Sequence, residues 1–462
     1  MKYLSLLVST LIFCSCKLSE REQKIRQPNF VILLADDLGY ADVGFHGSDI
    51  QTPHLDKFAR EGVRLESFYS CPMCTPTRAG LMTGLYPIRY GLMRSVIPPY
   101  RNFGLNPELE LLPEMLNQSG YAYRACVGKW HLGHLQKKWH PIEQGFTHFV
   151  GCYNGAIDYF TKEREGEIDW HRNSETIQVT GYVTDLIADE AVRFIHSVPK
   201  EAPYFLYVPF TAPHSPFQAK KKDFDKYPHR SGKQRIYAAM VDCLDQGVGR
   251  ILDAIDRRGD RDNTFILFFS DNGGVKNIAN NSPMRGNKLT VYEGGIRVVA
   301  AAHWPTGGIE GGKIIKDHMG YIDIFPTLKS ISQGNSAETK LDGINVLDIL
   351  KGKSHGKKRK WFTYLDQSPS KREKLAVHFQ DLKLIVERDA PDTASNRKES
   401  TALFQLDSLH TGDKDVAEKY EEVFKELFKN MEEFLQGKPI FQNPRYREGK
   451  FGFKAPKDWI IE

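Results

Sequence analysis

Two uninterrupted apolar runs stand out along the chain, Asn29 to Ala35 (NFVILLA) and Thr264 to Phe269 (TFILFF). A strand with one wet face alternates apolar and polar residues, so runs like these predict strands buried on both faces of a parallel sheet. Tyr121 to Val127 and Tyr204 to Phe210 read as two more strands, Val63 to Phe68 alternates as another, and Ile296 to Ala301 closes the set. Helical patterns lie between them. Thr52-Pro53 opens a helix that stops at Gly62, Leu111 to Gln118 forms a second with Pro113 near its start, and Gln234 to Arg258 places Met240, Leu244, Val248, Ile251 and Ile255 on one stripe. Strands alternating with helices predict an α/β fold with a doubly wound, mainly parallel sheet, in which ligands bind at the carboxyl ends of strands.

The texture changes near Lys351. A basic, glycine-containing run to Lys360 reads as a solvated connector, followed by short strands at Trp361 to Leu365, Leu375 to Phe379, Leu382 to Val386 and Ala402 to Leu406, and by a helix at Val416 to Leu435. That pattern predicts a small antiparallel α+β domain. The tail from Lys438 to Glu462 has no clear element and is expected to wrap the surface. At the other end, Lys2 precedes the apolar run Leu4 to Phe13, which is too short to span a bilayer and reads as an export signal. Ser15-Cys16 ends it as a lipoprotein site would, although Phe13 and Cys14 depart from the usual residues; an ordinary cleaved signal is the alternative. The expected organisation is a signal at 1–16, a polar tether at 17–27, a large α/β domain at 28–350, and a small domain with its tail at 351–462. The protein is expected to be exported to the periplasm or cell surface, with membrane contact only through a lipid anchor at Cys16.

Composition narrows this little: 462 residues, 26% charged and 40% hydrophobic, describe a soluble globular chain long enough for one large domain and an appendage. The net charge of +5 would help attract a polyanion without identifying one. No zinc-finger spacing or aromatic RNA-binding signature is present, so nucleic acid is not an expected partner. Of seven cysteines, Cys14 and Cys16 belong to the signal; Cys71, Cys126, Cys152 and Cys243 are scattered without a framework spacing and read as buried thiols, with a disulfide among them as the alternative that spacing does not decide.

Candidate chemistry gathers where the strands end. Asp36-Asp37 follows the first run, and adjacent carboxylates repel unless something positive lies between them, which favours metal ligation over turn capping. Asp271-Asn272 follows the second run. Lys129 and His131 lie in a glycine-flanked loop, His214 follows another strand, and Lys288 stands in Arg285-Gly286-Asn287-Lys288 ahead of Glu293-Gly294-Gly295. The remaining stretch is Cys74-Thr75-Pro76-Thr77-Arg78, running to Thr83-Gly84. Thr75 suits an N-cap, Pro76 the first helical position and Gly84 the C-cap, which puts Cys74 at the mouth of a short helix with Arg78 one turn in. A helix mouth with a fixed cation favours an oxyanion. Two plainer readings stay open on this stretch alone: a buried thiol, or a redox pair formed by Cys71 and Cys74.

The pattern Cys-x-Pro-x-Arg followed by Leu-x-Thr-Gly resembles the signature of type I sulfatases, in which the cysteine is oxidised to formylglycine. The contexts GKWHLG, TAPHSP, SDNGG and RGNK with EGG also match, and the resemblance runs from about Pro28 to Ala417, including Leu403-Phe404-Gln405-Leu406-Asp407. Cys74 to Asp158 looks most like the arylsulfatase B (N-acetylgalactosamine 4-sulfatase) branch. The resemblance implies the alkaline-phosphatase-like sulfatase fold. It also implies a divalent cation, Ca²⁺ with Mg²⁺ as the alternative, held by Asp36, Asp37, Asp271 and Asn272 together with the modified Cys74. One hydroxyl of the formylglycine hydrate would then sit on the metal while the other attacks sulfur, and loss of sulfate would regenerate the aldehyde. Arg78 and His131 would position and deprotonate the hydrate, Lys129 and Lys288 would neutralise the sulfate oxygens, and His214 would protonate the leaving oxygen. The family's further pocket serine has no counterpart here, and Asp158-Tyr159 is offered as a substrate contact instead. The implied partners are a sulfated oligo- or polysaccharide, algal (ulvan, carrageenan) or glycosaminoglycan, and a maturation enzyme of the formylglycine-generating or anaerobic type. The competing readings are a phosphonate or phosphodiester hydrolase of the same superfamily, a catalytically dead glycan-binding lipoprotein, and the redox protein.

Overall fold

The computed structural model describes residues 26–334, 340–353, 358–367, 372–389, 398–406 and 414–461. The signal with Cys14 and Cys16, most of the tether, part of the basic connector, Asp407 and Glu462 lie outside the described residues. A ten-stranded sheet runs through the molecule, and five parallel strands form its centre: Thr264–Ser270, Asn29–Ala35, Tyr204–Pro209, Tyr123–Lys129 and His148–Cys152. Asn29–Ala35 lies between Thr264–Ser270 and Tyr204–Pro209, with Phe30 level with Phe205 on one side and Phe265 on the other. Its residues are completely buried and divide by the two-residue period of a strand. Phe30, Ile32 and Leu34 enter one core, whereas Val31, Leu33 and Ala35 enter the other.

The second core is closed by Pro53–Glu61, Val183–Ser197 and the long helix Gly232–Arg258, whose expected apolar stripe is buried throughout. Thr52 does not cap the helix after it. Its hydroxyl accepts from Gly44 N and donates to Asp56. The first-turn N–H groups of His54 and Leu55 instead donate to Asp245 on the long helix, at 3.2 and 2.8 Å. Helix Val183–Ser197 has no counterpart in the sequence reading.

Two predicted strands prove to be chain crossings. Val63 to Phe68 divides into Val63–Leu65 in the large sheet and Phe68–Tyr69 in a three-stranded sheet with Arg297–Val298 and Met319–Gly320. Ile296 to Ala301 likewise starts as a short helical turn, Glu293–Ile296, passes through Arg297–Val298 and re-enters the large sheet as Ala300–His303, antiparallel to Thr264–Ser270. Ile296 to Ala301 is buried along its whole length, so its apolar run carries no mark of the break, and in Val63 to Phe68 the half-buried Arg64 and Glu66 alternate with buried neighbours across it.

The C-terminal strands Lys360–Leu365, Arg372–Phe379, Leu382–Asp389 and Glu399–Gln405 form the expected antiparallel sheet in chain order. The helix after them is Glu421–Leu435, starting later than Val416. Trp361, Tyr364, Val377 and Leu384 of this sheet, with Leu427 and Met431 of the helix, join the same core as Phe30. Between the two sheets lies a buried ion pair, with Lys383 Nζ 2.7 Å from Glu293 Oε1 and Tyr69 donating to Glu293 Oε2 at 2.9 Å. The Glu293 carboxyl is driven upward by burial, but Lys383, His378 and Arg297 outweigh that and hold it well below the usual carboxylate range. Removing one partner of such a pair leaves an uncompensated buried charge. Lys383→Met is therefore expected to cost about 3–5 kcal/mol, read as an earlier midpoint in denaturant unfolding. Lys425→Ala, which breaks an exposed pair with Glu421, should leave the midpoint in place. Equal midpoints for the two variants would show that the C-terminal sheet docks without the pair.

Candidate active site

Cys74 opens a ten-residue helix, Cys74–Thr83, in which every residue is buried. The residue before it, Met73, is extended, so the helix starts two positions earlier than Thr75 and Pro76 suggested, while Gly84 ends it at φ 67° as expected. Thr75 and Thr77 act as fasteners instead of caps. The Thr75 hydroxyl donates to His131 O at 3.1 Å and accepts from Ile97 N at 3.2 Å; that of Thr77 donates to Asp271 O at 2.6 Å and accepts from Cys71 N at 2.9 Å. The helix is thus tied to the ends of two sheet strands before any charge is considered.

The charges gather on the same edge. Arg78 is fully buried and donates from Nε (3.1 Å) and Nη2 (2.8 Å) to Asp271 Oδ2, and from Nη1 to Lys129 O at 2.9 Å. Its Nη2 also lies 3.6 Å from Asp36 Oδ2, which receives Lys129 Nζ at 2.5 Å. Asp37, at φ 68°, accepts Lys288 Nζ at 2.7 Å and Asn272 Nδ2 at 2.7 Å, and its Oδ2 lies 3.7 Å from His214 Nε2. Six sequence-selected residues therefore surround two adjacent carboxylates, and Cys74 joins them. One ligand atom each from Asp36, Cys74 and Asp271 lies within 4.8 Å of the others.

Their protonation follows from this crowding. Burial raises Asp37, but Lys288 and His214 dominate and hold its carboxyl far below the ordinary range. Asp271 is pushed up to about 6 by burial and then by the charge of Asp36, against Arg78. Burial, then Lys129 and Arg78, drives His131 well below its usual value; burial, then Lys288, takes His214 down to about 3. The Cys74 thiol is raised by burial despite Lys129 and Lys288. Cys71 faces elsewhere: its Sγ donates to Tyr321 at 3.1 Å in the main core, and burial pushes it up to about 12. All five described cysteines are free; the Cys71 sulfur meets Tyr321, whereas that of Cys74 lies with Asp36 and Asp271.

Above the charges lies an open cavity of about 660 Å³ whose walls include Cys74, His131, His214 and Lys288. His131, at φ 59°, donates from Nε2 to Ile97 O, 3.0 Å away, and its buried Nδ1 has no protein partner. Gly155 makes this fit: a Cβ there would stand 2.3 Å from the His131 ring. His214 fixes Nδ1 on Ser215 O at 2.6 Å. Lys129 is buried beneath the cavity floor. Asp158 lines the cavity, but its Oδ1 accepts Phe160 N and Thr161 N at 2.8 Å each and its Oδ2 accepts Gln218. Tyr159 is buried against Thr211 O and His214 O, so it supports the His214 loop and does not face a ligand. Sequence reasoning missed the outer wall: Pro98, Arg164, Gln367 and Tyr446 come from segments with no local signature.

Comparison with known proteins agrees with this arrangement. Residues 28–332 match the family described as Sulfatase. Arylsulfatase J of Mus musculus is 37% identical over 335 residues, covering 70% of this chain and 56% of that protein. N-acetylgalactosamine-6-sulfatase of Mus musculus is 35% identical, covering 70% and 66%. The chain thus matches between about half and two thirds of the length of these relatives. The crystal structure of Ps i-CgsB in complex with k-i-k-neocarrahexaose superposes with a TM-score of 0.82 at 30% identity, over 91% of this chain and 95% of that one.

The donor set suits a hard divalent cation. Buried Asp36 Oδ1 and Asn272 Oδ1 have no hydrogen-bond partner, and the neighbouring oxygens are carboxylate or amide. Ca²⁺ or Mg²⁺ is therefore expected to raise the melting temperature, with a stabilisation of about 2.7 kcal/mol at a hundredfold excess over Kd. Chelation should reverse the shift, and Asp271→Asn should remove the response. A melting curve indifferent to both cations and to chelator would take the metal out of this site.

Proposed function

Because the chain belongs to the sulfatase family, we propose that it hydrolyses a sulfate ester of a carbohydrate, with Cys74 matured to formylglycine as the nucleophile. One observation carries the reading: Cys74 opens a buried helix at the floor of a cavity where Lys288, His131 and His214 converge over Asp36, Asp37 and Asp271. Formylglycine at Cys74 would supply a hydrate as the nucleophile that displaces the sugar alcohol from sulfur, and Asp36, Asp37, Asp271 and Asn272 would hold a cation, Ca²⁺ in this reading, supplying further positive charge for the sulfate oxygens.

The chain's own groups do the rest. Arg78 spends its donors on Asp271 and Lys129 O, so its part is to fix the carboxylate against the helix of Cys74. Lys288, anchored on Asp37, lines the cavity and aims its charge at a bound anion. Lys129 does the same from below through Asp36. With Nδ1–H donated to Ser215 O, neutral His214 presents an unprotonated Nε2, which would have to take up a proton, favoured by the charge of a bound anionic ester, before giving it to the leaving oxygen. His131, neutral and wedged by Gly155, offers its free Nδ1 toward the matured residue.

A carbohydrate is favoured because the cavity is wide and open, and because the similar structure named above was solved with an oligosaccharide. For location, the apolar run Leu4 to Phe13 and Ser15-Cys16 support export and a lipid anchor at Cys16. The test of function uses matured protein on sulfated oligosaccharides (carrageenan, ulvan, chondroitin and dermatan series), a small aryl sulfate, a phosphonate monoester and a phosphodiester. The highest kcat/KM is expected on a sulfated oligosaccharide, since binding energy from remote contacts is used at the reacting centre. Preference for the phosphorus esters would assign the chain to the sister hydrolases, and binding without turnover would make it a glycan-binding protein. Cys74→Ser should lose activity by on the order of 10³-fold or more. Cys71→Ser should stay within a few-fold of wild type; an equal loss in both would favour the redox pair.

A further inference from the structure

The tail beyond Lys438 does more than cover surface. It is pinned at two points on the rim of the cavity. At the first, buried Asn443 donates to Ser95 O (2.8 Å) and Val96 O (3.0 Å), Arg445 pairs with Asp366, and Tyr100 donates to Tyr446 O. At the second, buried Trp459 donates to Arg164 O at 3.0 Å, and Asp458 bridges Glu167 and Thr176. Tyr446 and Arg164 both line the cavity that holds Cys74, so the stretch between the pins is a strap that begins and ends at its rim.

The strap carries Arg447, Lys450, Lys454 and Lys457, all exposed, and among the described residues none of the four forms an ion pair. Its one acid, Glu448, faces Arg101. Phe451 projects wholly into water and Phe453 packs between Tyr100 and Trp459. Four like charges on a short exposed segment contribute nothing to folding and repel one another, while an exposed aromatic face loses by staying wet. Cations alternating with an apolar ring are what an anionic sugar chain covers well, its sulfates meeting the charges and a C–H face meeting the ring. We propose that the strap from Tyr446 to Lys457 is an outer binding site for further sulfated residues of a polymeric substrate whose reacting unit lies over Cys74. This rests on the sulfatase reading above.

The experiment compares wild type with Arg447→Ala/Lys450→Ala/Lys454→Ala/Lys457→Ala, and with a control lacking four exposed lysines elsewhere, Lys222, Lys233, Lys313 and Lys316. Sulfate release is followed on carrageenan and chondroitin sulfate oligosaccharides of two, four and six units at low and raised salt. In wild type and control, kcat/KM is expected to rise roughly tenfold from two to six units and to lose most of that gain in salt. The strap variant should keep the wild-type rate on the two-unit substrate and lose the gain with length. A strap variant with the full gain, or a wild type that turns over substrate with no gain, overturns the proposal. Affinity electrophoresis through gels cast with each polysaccharide reads binding without turnover. If no sulfate is released from any substrate, the sulfatase reading fails, and the strap is judged by the gel alone: retardation of wild type and control but not of the strap variant supports it, and equal migration of all three overturns it.

Discussion

Arg78 against Asp271 is the contact on which the site depends. Asp36, Asp37 and Asp271 end two neighbouring parallel strands and are completely enclosed, so each would be protonated or expelled without a nearby cation. Arg78, Lys129 and Lys288 provide that compensation, one for each carboxylate. Arg78 does so from the helix that Cys74 begins, one turn further on. The pair that makes a buried Asp271 tolerable therefore also sets how far Cys74 stands from the strand ends. Three negative and three positive side chains nearly balance, which lets the cluster stay packed before any ion binds. A divalent cation held there would add net positive charge to a cavity floor already lined by Lys288, a field that attracts anionic ligands.

Much of this inner wall was legible in the chain. NFVILLA and TFILFF announce buried parallel strands because a strand covered on both faces has no polar alternation to hide behind. Asp36, Asp37, Asp271, Asn272, Lys129, His131 and His214 follow such runs within a few residues, so the rule that ligands gather at carboxyl ends brings them together without knowledge of the fold. Asp37 and His131 even adopt left-handed backbone there, a strain that tight packing at a site sustains.

What failed to show in the sequence failed for identifiable reasons. The helix cap assigned to Thr75 was displaced because its hydroxyl and that of Thr77 are recruited by distant backbone groups, His131 O and Asp271 O, and local propensity cannot foresee tertiary partners. Thr52 lost its capping role to Asp245, 193 residues away in the chain, whose carboxylate serves the same N–H groups better from the side. The two sheet crossings near Ser67 and Val299 leave the hydrophobic pattern of the chain unbroken, so the signal that finds strands is blind to where one strand ends and another begins. Domain boundaries suffer similarly: a change of texture at Lys351 is visible, but the pairing of Lys383 with Glu293 that joins the C-terminal sheet to the large one is not.

Inner and outer walls of the cavity are held by different physics. The inner wall is a closed set of buried ion pairs, where altering one member strands another in a medium that cannot solvate it. The outer wall is assembled from Arg164, Gln367 and Tyr446, on segments anchored chiefly through main-chain carbonyls: Trp459 on Arg164 O, Asn443 on Ser95 O, Tyr100 on Tyr446 O. Such anchors constrain the path of the backbone and leave the exposed side chains unspecified. Substitutions on the outer wall therefore alter what the cavity holds at little cost to folding, whereas substitutions on the inner wall alter folding and chemistry together. A scaffold divided in this way can keep one inner arrangement of charges while changing what the cavity admits, and it leaves the choice of ligand to the part of the chain that motif reading reaches least.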